Sequence, residues 1–335
     1  MRILLHGAVD LSLAGGVETH LRELAHGLVA RGHQVDILGR PATLPPFRMV
    51  SAVDPARYDV LHDHSTSWPR GVPRDRRYVR TAHFCTAEKM AVYVRRGRVR
   101  TLANLGNWRA VLGERAAARA GARWIAVSSR LRDELIHWHH VPPERVAAIP
   151  NGASSGAPAR TRAEVRRAWN VPADAFVALG IGRDDFVKGF DLLGRAWRRA
   201  RRPAGATWVT VGGARRAHAE GVLVTGSLPR AEMFEWIHAA DLGVFPSYYE
   251  GCGIVLMDMR AAGLPVLTHD VGIAREVVRP GVDGDILPPH EDAWVAALER
   301  AFADPPARSA PLGAELSWEA MIDRVVEVYR TMEAP

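Results

Sequence analysis

Cysteine is nearly absent from this chain. Cys85 and Cys252 are the only two in 335 residues, too few for a disulfide framework or a cysteine-built zinc site. A reducing, cytoplasmic setting is the expectation. Long apolar runs are missing too: none approaches the ~18 residues that a membrane-spanning helix needs. The first apolar stretch, residues 3–5, is broken by His6, Gly7 and Asp10, which does not fit a secretory leader. The signature Gly-x-Gly-x-x-Gly does not occur, and Gly180-x-Gly182 is only a fragment of it, so a dinucleotide site is unsupported. Lysine is scarce: apart from Lys89 and Lys188, every one of the basic residues is arginine.

What is present is positive charge, unevenly spread. Residues 1–150 hold 23 Lys+Arg against 13 Asp+Glu, and the rest of the chain 21 against 24. A sign change between halves implies different partners for each, with an anionic one for the first. The length also exceeds one core, since domains commonly hold about 100–200 residues.

The apolar pattern alternates short runs with amphipathic ones. Strands are expected at 2–5, 34–38, 59–62, 78–81, 124–127 and 146–149, then at 176–181, 207–211, 222–225, 242–245 and 265–268. Helices lie between them. Val17, Leu21, Leu24 and Leu28 share one helical face, and Gly32 sits where that helix should stop. Later helices are expected near 190–200, 230–240, 254–262, 294–303 and 318–332. Repeated strand–helix–strand order implies parallel sheets covered on both faces. Residues 150–158, rich in Pro, Asn, Gly and Ser, read as a break, and the linker is placed at 150–165. The expected class is α/β: two Rossmann-like domains with a ligand cleft at the carboxyl ends of the strands.

Three strand ends carry candidate chemistry. Ser247-Tyr-Tyr-Glu-Gly-Cys-Gly-Ile-Val-Leu-Met-Asp258 reads as a turn into a helix. Unpaired N–H groups at such a start suit a diphosphate, and Gly251 and Gly253 allow close backbone approach. Glu250 and Asp258 could accept from sugar hydroxyls. Gly182-Arg183-Asp-Asp-Phe-Val-Lys188-Gly189 follows the first strand of the second half, so Arg183 and Lys188 could together neutralise a leaving diphosphate. In the first half, Ala14-Gly15-Gly16-Val-Glu18 opens the first helix, and His83 lies just past a strand end. A solvated acid, two surface cations and a packing histidine are the competing readings of these residues taken singly. The groups His62/His64 and His137/His139/His140 resemble ligand clusters, but neither gathers a complete metal set. Asp283-Gly-Asp285 reads as a turn. Residues 95–132 hold ten arginines and a single acid, Glu114, interleaved with Leu102, Leu105, Trp108 and Leu112. Such a stretch can lie on an anionic membrane surface, grip nucleic acid, or be a solvated face. No nucleic-acid fold signature accompanies it.

Taken in order, Gly15-Gly16-Val-Glu-Thr-His, Arg31-Gly-His33, Asp59-Val-Leu-His62, Ala126-Val-Ser128, Pro150-Asn-Gly152, Gly182-Arg183 with Lys188-Gly189, and residues 246–266 resemble the family 4 glycosyltransferases. Within them, Thr86-Ala-Glu-Lys89 and residues 261–268 look most like the lipopolysaccharide core glucosyltransferases. The resemblance implies the GT-B fold, with an acceptor domain over 1–155, a donor domain over 156–317, and a helix over 318–335 crossing back to the first. It implies metal-free, retaining transfer of a hexose from a nucleotide-diphosphate sugar, UDP-linked, without any cofactor. The acceptor would be a saccharide or lipid-linked, anionic hydroxyl compound of cell-envelope synthesis, met at the inner face of the membrane. Glu250 would contact the donor sugar, Arg183 and Lys188 the departing diphosphate, Asp258 the ribose, and His83 would sit beside the donor sugar. Gly15, Gly16, Gly182, Leu228, Gly251, Cys252, Gly253, Ile254 and Val255 would line the donor. The family reads Glu-x7-Glu where this chain has Glu250-x7-Asp258. An epimerase on the same fold and a non-catalytic nucleotide-sugar-binding subunit are the alternatives.

Overall fold

The computed structural model describes the chain apart from residues 8–14, 39–47, 51–53, 66–76, 220 and 333–335. Ala14, expected in the first glycine loop, therefore lies outside the described residues. The chain divides into two compact units, Met1–Gly152 with Ala314–Pro335, and Ala153–Gly313.

The first unit runs β1 (Arg2–His6), α1 (Gly16–Ala30), β2 (Gln34–Leu38), β3 (Arg48–Val50), β4 (Val60–Asp63), β5 (Tyr78–Ala82), α2 (Thr86–Arg95), α3 (Leu105–Arg119), β6 (Arg123–Ala126), α4 (Ser129–His139) and β7 (Val146–Ala148). Its sheet has the order β3-β2-β1-β4-β5-β6-β7, and every pairing is parallel. The strands Ile3-Leu4-Leu5 and Val60-Leu61 are buried on both faces, as expected of a sheet covered by helices. The order reverses between β1 and β4. Crevices at such reversals are where ligands settle in open α/β sheets.

The second unit runs α5 (Arg162–Ala168), β8 (Val177–Ile181), α6 (Phe190–Arg199), β9 (Thr207–Ala219), β10 (Val222–Gly226), α7 (Arg230–Ala239), β11 (Leu242–Phe245), α8 (Ile254–Ala261), β12 (Val266–Thr268), α9 (Ala274–Val277), β13 (Gly284–Ile286) and α10 (Glu291–Ala303). Its order is β10-β9-β8-β11-β12-β13, so its reversal falls between β8 and β11. Most of the expected donor residues follow the carboxyl ends of those two strands, in the loops to α6 and α8.

The last helix, α11 (Trp318–Met332), is part of the first unit. Its buried face of Trp318, Met321, Ile322, Val325, Val326 and Tyr329 follows the i, i+3, i+4, i+7 pattern of one apolar stripe. Ile322 lies so near Gly27 of α1 that a methyl added there would stand 2.1 Å from its Cδ1, and Arg31 Nε donates to Asp323 at 2.7 Å.

Several features depart from the sequence reading, among them the short helix α9 and the length of β9, which runs to Ala219. The stretch taken for linker ends inside α5, which is started by a capping box in which Thr161 and Glu164 exchange bonds. Its fully buried residue Arg166 sits where an apolar one would be expected, its guanidinium held by the carbonyls of Ala239, Ala173 and Ala175. The three-residue strands β3 and β13 were not anticipated, each having a charged residue, Arg48 or Asp285, in place of an unbroken apolar run.

Candidate donor site and histidine cluster

In the second unit, β11 ends at Phe245 and the chain turns through Pro246 and Ser247 to α8. Gly253, the residue before the helix, has φ +100° and no side chain caps the helix start. The first N–H groups of α8, at Ile254 and Val255, therefore keep their partial positive charge. The loop is pinned from behind. The Ile273 N–H donates to the Cys252 carbonyl at 2.9 Å, and a methyl on Gly272 would come within 2.1 Å of that oxygen. Gly251 and Cys252 are buried.

The β8 end approaches the same loop. Gly182 hydrogen-bonds Val211 through its N–H. A one-turn 3-10 helix over Phe186–Lys188 then leads into α6 through Gly189, whose φ is +68°. A methyl on Gly189 would sit 1.9 Å from the Pro246 carbonyl oxygen, so only glycine lets the two loops meet. Their meeting joins Lys188 to Glu250: the ammonium donates to Oε1 at 2.7 Å, and Ser247 Oγ donates to the same oxygen at 2.8 Å. Glu250 Oε2 has no protein partner among the described residues. Arg183 is exposed and makes no ion pair among them.

Asp258, four residues into α8, is 1% exposed. Its Oδ1 accepts from the Ser154 N–H at 2.8 Å and its Oδ2 from Arg230 at 3.4 Å. Leu228, half-buried, lies two residues before Arg230. Sequence reasoning missed a supporting layer behind the loop. His269 Nδ1 donates to the Ser247 carbonyl at 3.0 Å, while Trp294 Nε1 donates to its Nε2 at 2.8 Å. Tyr248 stacks on His269 at 5.8 Å. No local motif could have announced these contacts, because they come from β12 and α10.

In the first unit, Gly15 and Gly16 open α1, and Glu18 curls back so that a methyl on Gly15 would stand 2.0 Å from its Oε2. His83, just past β5, meets His64 from the β4 end, with Nε2 3.2 Å from His64 Nδ1. His20 of α1 completes a group of three whose ligand nitrogens lie within 4.8 Å of one another. The sequence grouped histidines by nearness along the chain; the fold groups them by strand end. His62, its ring 4.0 Å from that of His64, spends its two nitrogens on Tyr329 of α11 and on Thr81. His139 likewise pairs with Glu114 at 2.7 Å beside Cys85. Burial pushes His20 down to about 4, against the pull of its hydrogen bond to Asn151, and pushes His62 down to about 3. Burial also holds His64 and His83 well below the ordinary histidine range. A cavity of about 210 Å³ opens beside the group, lined by Val17, His64, Arg80, His83, Glu114 and Trp124 among others.

Asp283 reads as a turn residue in the structure as well: it follows the turn at Gly281 and its carboxylate is held by Arg260 and Arg279.

Residues 175–304 match the family model described as glycosyl transferases group 1, and residues 38–155 the one described as Glycosyltransferase Family 4. A D-inositol 3-phosphate glycosyltransferase of Thermobispora bispora is 30% identical over 95% of this chain and 82% of its own. Among solved structures, Anabaena HepE in complex with UDP and glucose superposes with a TM-score of 0.76 at 17% identity, covering 99% of this chain and 100% of that one. WaaG, a glycosyltransferase involved in lipopolysaccharide biosynthesis, gives 0.68 at 19%, covering 99% and 96%.

Proposed function

Because the chain belongs to the family 4 glycosyltransferases and has their GT-B fold, we propose that it moves a hexose from a UDP-sugar to a saccharide or glycolipid hydroxyl with retention of configuration. The observation that carries this reading is the junction of Lys188, Glu250 and the uncapped start of α8 at the β8/β11 reversal. Cleaving the bond from the anomeric carbon leaves its electron pair on the diphosphate. Lys188 and the helix N–H groups meet that charge with donors already held in place, the kind of stabilisation that dominates many enzymes, and Arg183 adds an exposed cation. Two organic cations at this position make a metal-free mechanism the consistent choice. Glu250 Oε2, without a protein partner among the described residues, is offered to a donor-sugar hydroxyl. Asp258 is proposed to reach the nucleoside through the cluster it shares with Ser154 and Arg230. His83 is proposed, on the family resemblance, to touch the donor sugar. The chemistry is tested by supplying UDP-hexoses with candidate glycolipid acceptors and reading the product by NMR. An anomeric configuration matching the donor is expected. An inverted product, or an epimerised donor with no transfer, contradicts the proposal.

We further propose that the acceptor is met at an anionic membrane surface. No helix among the described residues is long and apolar enough to cross a membrane. Yet Val99, Leu102, Leu105, Trp108 and Leu112 are 45–75% exposed, all within α3 and the 3-10 turn before it. Arg100, Arg109, Arg115 and Arg119 make no ion pairs among the described residues. The stretch's lone acid, Glu114, is buried against Thr86 and His139. Exposed apolar side chains among unpaired cations suit a surface with both acyl chains and negative headgroups. Binding to vesicles containing anionic lipid, weakened by salt, is expected; equal binding to neutral vesicles removes the electrostatic part.

A further inference from the structure

The reaction proposed above uses His83 and leaves His20 and His64 without a role, yet their buried nitrogens are set out in an unusual way. His20 Nδ1 lies 2.7 Å from Asn151 Oδ1. An amide oxygen only accepts, so Nδ1 carries the proton and Nε2 its lone pair. That Nε2 is buried and has no hydrogen-bond partner among the described residues. Buried nitrogens are rarely left unpaired without a reason. His64 Nδ1 and His83 Nε2 are 3.2 Å apart, while two nitrogens on one tetrahedral zinc ion, at 2.0–2.1 Å each, stand about 3.3 Å apart. The bond from His20 to Asn151 is also the kind of outer contact that fixes the tautomer of a metal-ligating histidine.

We propose that His20, His64 and His83 form a site for a soft divalent transition-metal ion, zinc by its ligand set, and that filling it inhibits transfer by withdrawing His83. Three imidazoles without a carboxylate do not suit magnesium or calcium, which take oxygen ligands. The cavity that His64 and His83 line gives the ion a way in and leaves room for water at a fourth position. Its cation, Arg80, is turned toward Asp63 at 3.7 Å and the Ser65 carbonyl at 2.7 Å. The site itself does not depend on the transfer reaction; only the inhibition rests on the reading given for His83.

The test uses the full chain, stripped with EDTA and titrated with zinc chloride in a calorimeter at neutral pH, with cobalt as a coloured substitute. One equivalent bound, visible bands of a tetrahedral nitrogen site for cobalt, and transfer lowered at least about 10-fold and restored by EDTA are expected. His20→Gln and His64→Gln should each weaken binding by about 10-fold or more, the scale of losses seen even for outer contacts. Their residual transfer should no longer respond to zinc. If a variant does not fold, X-ray absorption of the zinc-loaded wild type decides, with imidazole-only coordination expected. No stoichiometric binding by the wild type, or unweakened binding by both folded variants, overturns the site. Binding without inhibition overturns the inhibitory part. A chain that binds zinc but transfers no sugar refutes the transferase reading and leaves the site standing.

Discussion

At the scale of single residues, the candidate donor site turns on one carboxylate. Glu250 holds Lys188 and Ser247 on Oε1 and keeps Oε2 without a partner among the described residues. Glu250→Gln keeps the shape but removes the charge that positions Lys188. Turnover should fall about 100-fold or more, on the scale of losing one preorganised charge contact, while the melting temperature stays within a few degrees. Near-normal turnover would remove Glu250 from the reaction. Lys188 and Glu250 could be singled out in the sequence because each sits at a strand end beside glycines, where a ligand-binding turn has a local signature. His269, Ser154 and Arg230 could not, since each acts through a partner far along the chain. Asp258 departs from the family's glutamate. Its oxygens are engaged by Ser154 and Arg230, contacts that only the fold brings to it.

At the scale of elements, strands 34–38 and 242–245 and the helix 318–332 have the limits expected from their apolar patterns, because each presents a full period to the core. What escaped were α5, whose buried positions include an arginine, the short α9, and the three-residue strands β3 and β13. The glycine junctions set how the elements meet. Gly189→Ala places a methyl 1.9 Å from the Pro246 oxygen at a positive φ, so the loops carrying Lys188 and Glu250 must separate. Donor KM should rise at least about 10-fold, with destabilisation of about 1–3 kcal/mol. Unchanged donor kinetics would mean that the close approach of these loops does not matter. By the same reasoning, Gly152→Ala sets a methyl 2.3 Å from the Trp318 backbone. It should lower the melting temperature by loosening the start of α11, which a calorimetric scan reads directly.

At the scale of the molecule, the two units carry distinct chemistry: buried neutral histidines in the first, and an ammonium–carboxylate pair at an open helix start in the second. The histidines give the chain a pH signature. In the fold, His20 and His62 are held at about 4 and about 3, below the ~6.5 of an unfolded histidine. Below about pH 6.5 the unfolded chain therefore binds more protons, and stability is lost as pH falls toward those folded values, by about 1.4 kcal/mol per pH unit for each such histidine. The melting temperature should drop steadily from pH 7 to 5, and a flat profile would contradict the buried cluster. The central claim, however, is that the β8/β11 reversal of the second unit binds a nucleotide-sugar diphosphate for transfer. It is tested most directly by titrating wild type and Lys188→Ala with UDP and UDP-hexose in a calorimeter, followed by turnover in EDTA. The account predicts binding by the wild type, affinity lowered at least about 10-fold and turnover abolished in a folded Lys188→Ala, and EDTA without effect on the wild type. Equal affinity and turnover in the variant, or activity lost to EDTA, would contradict it.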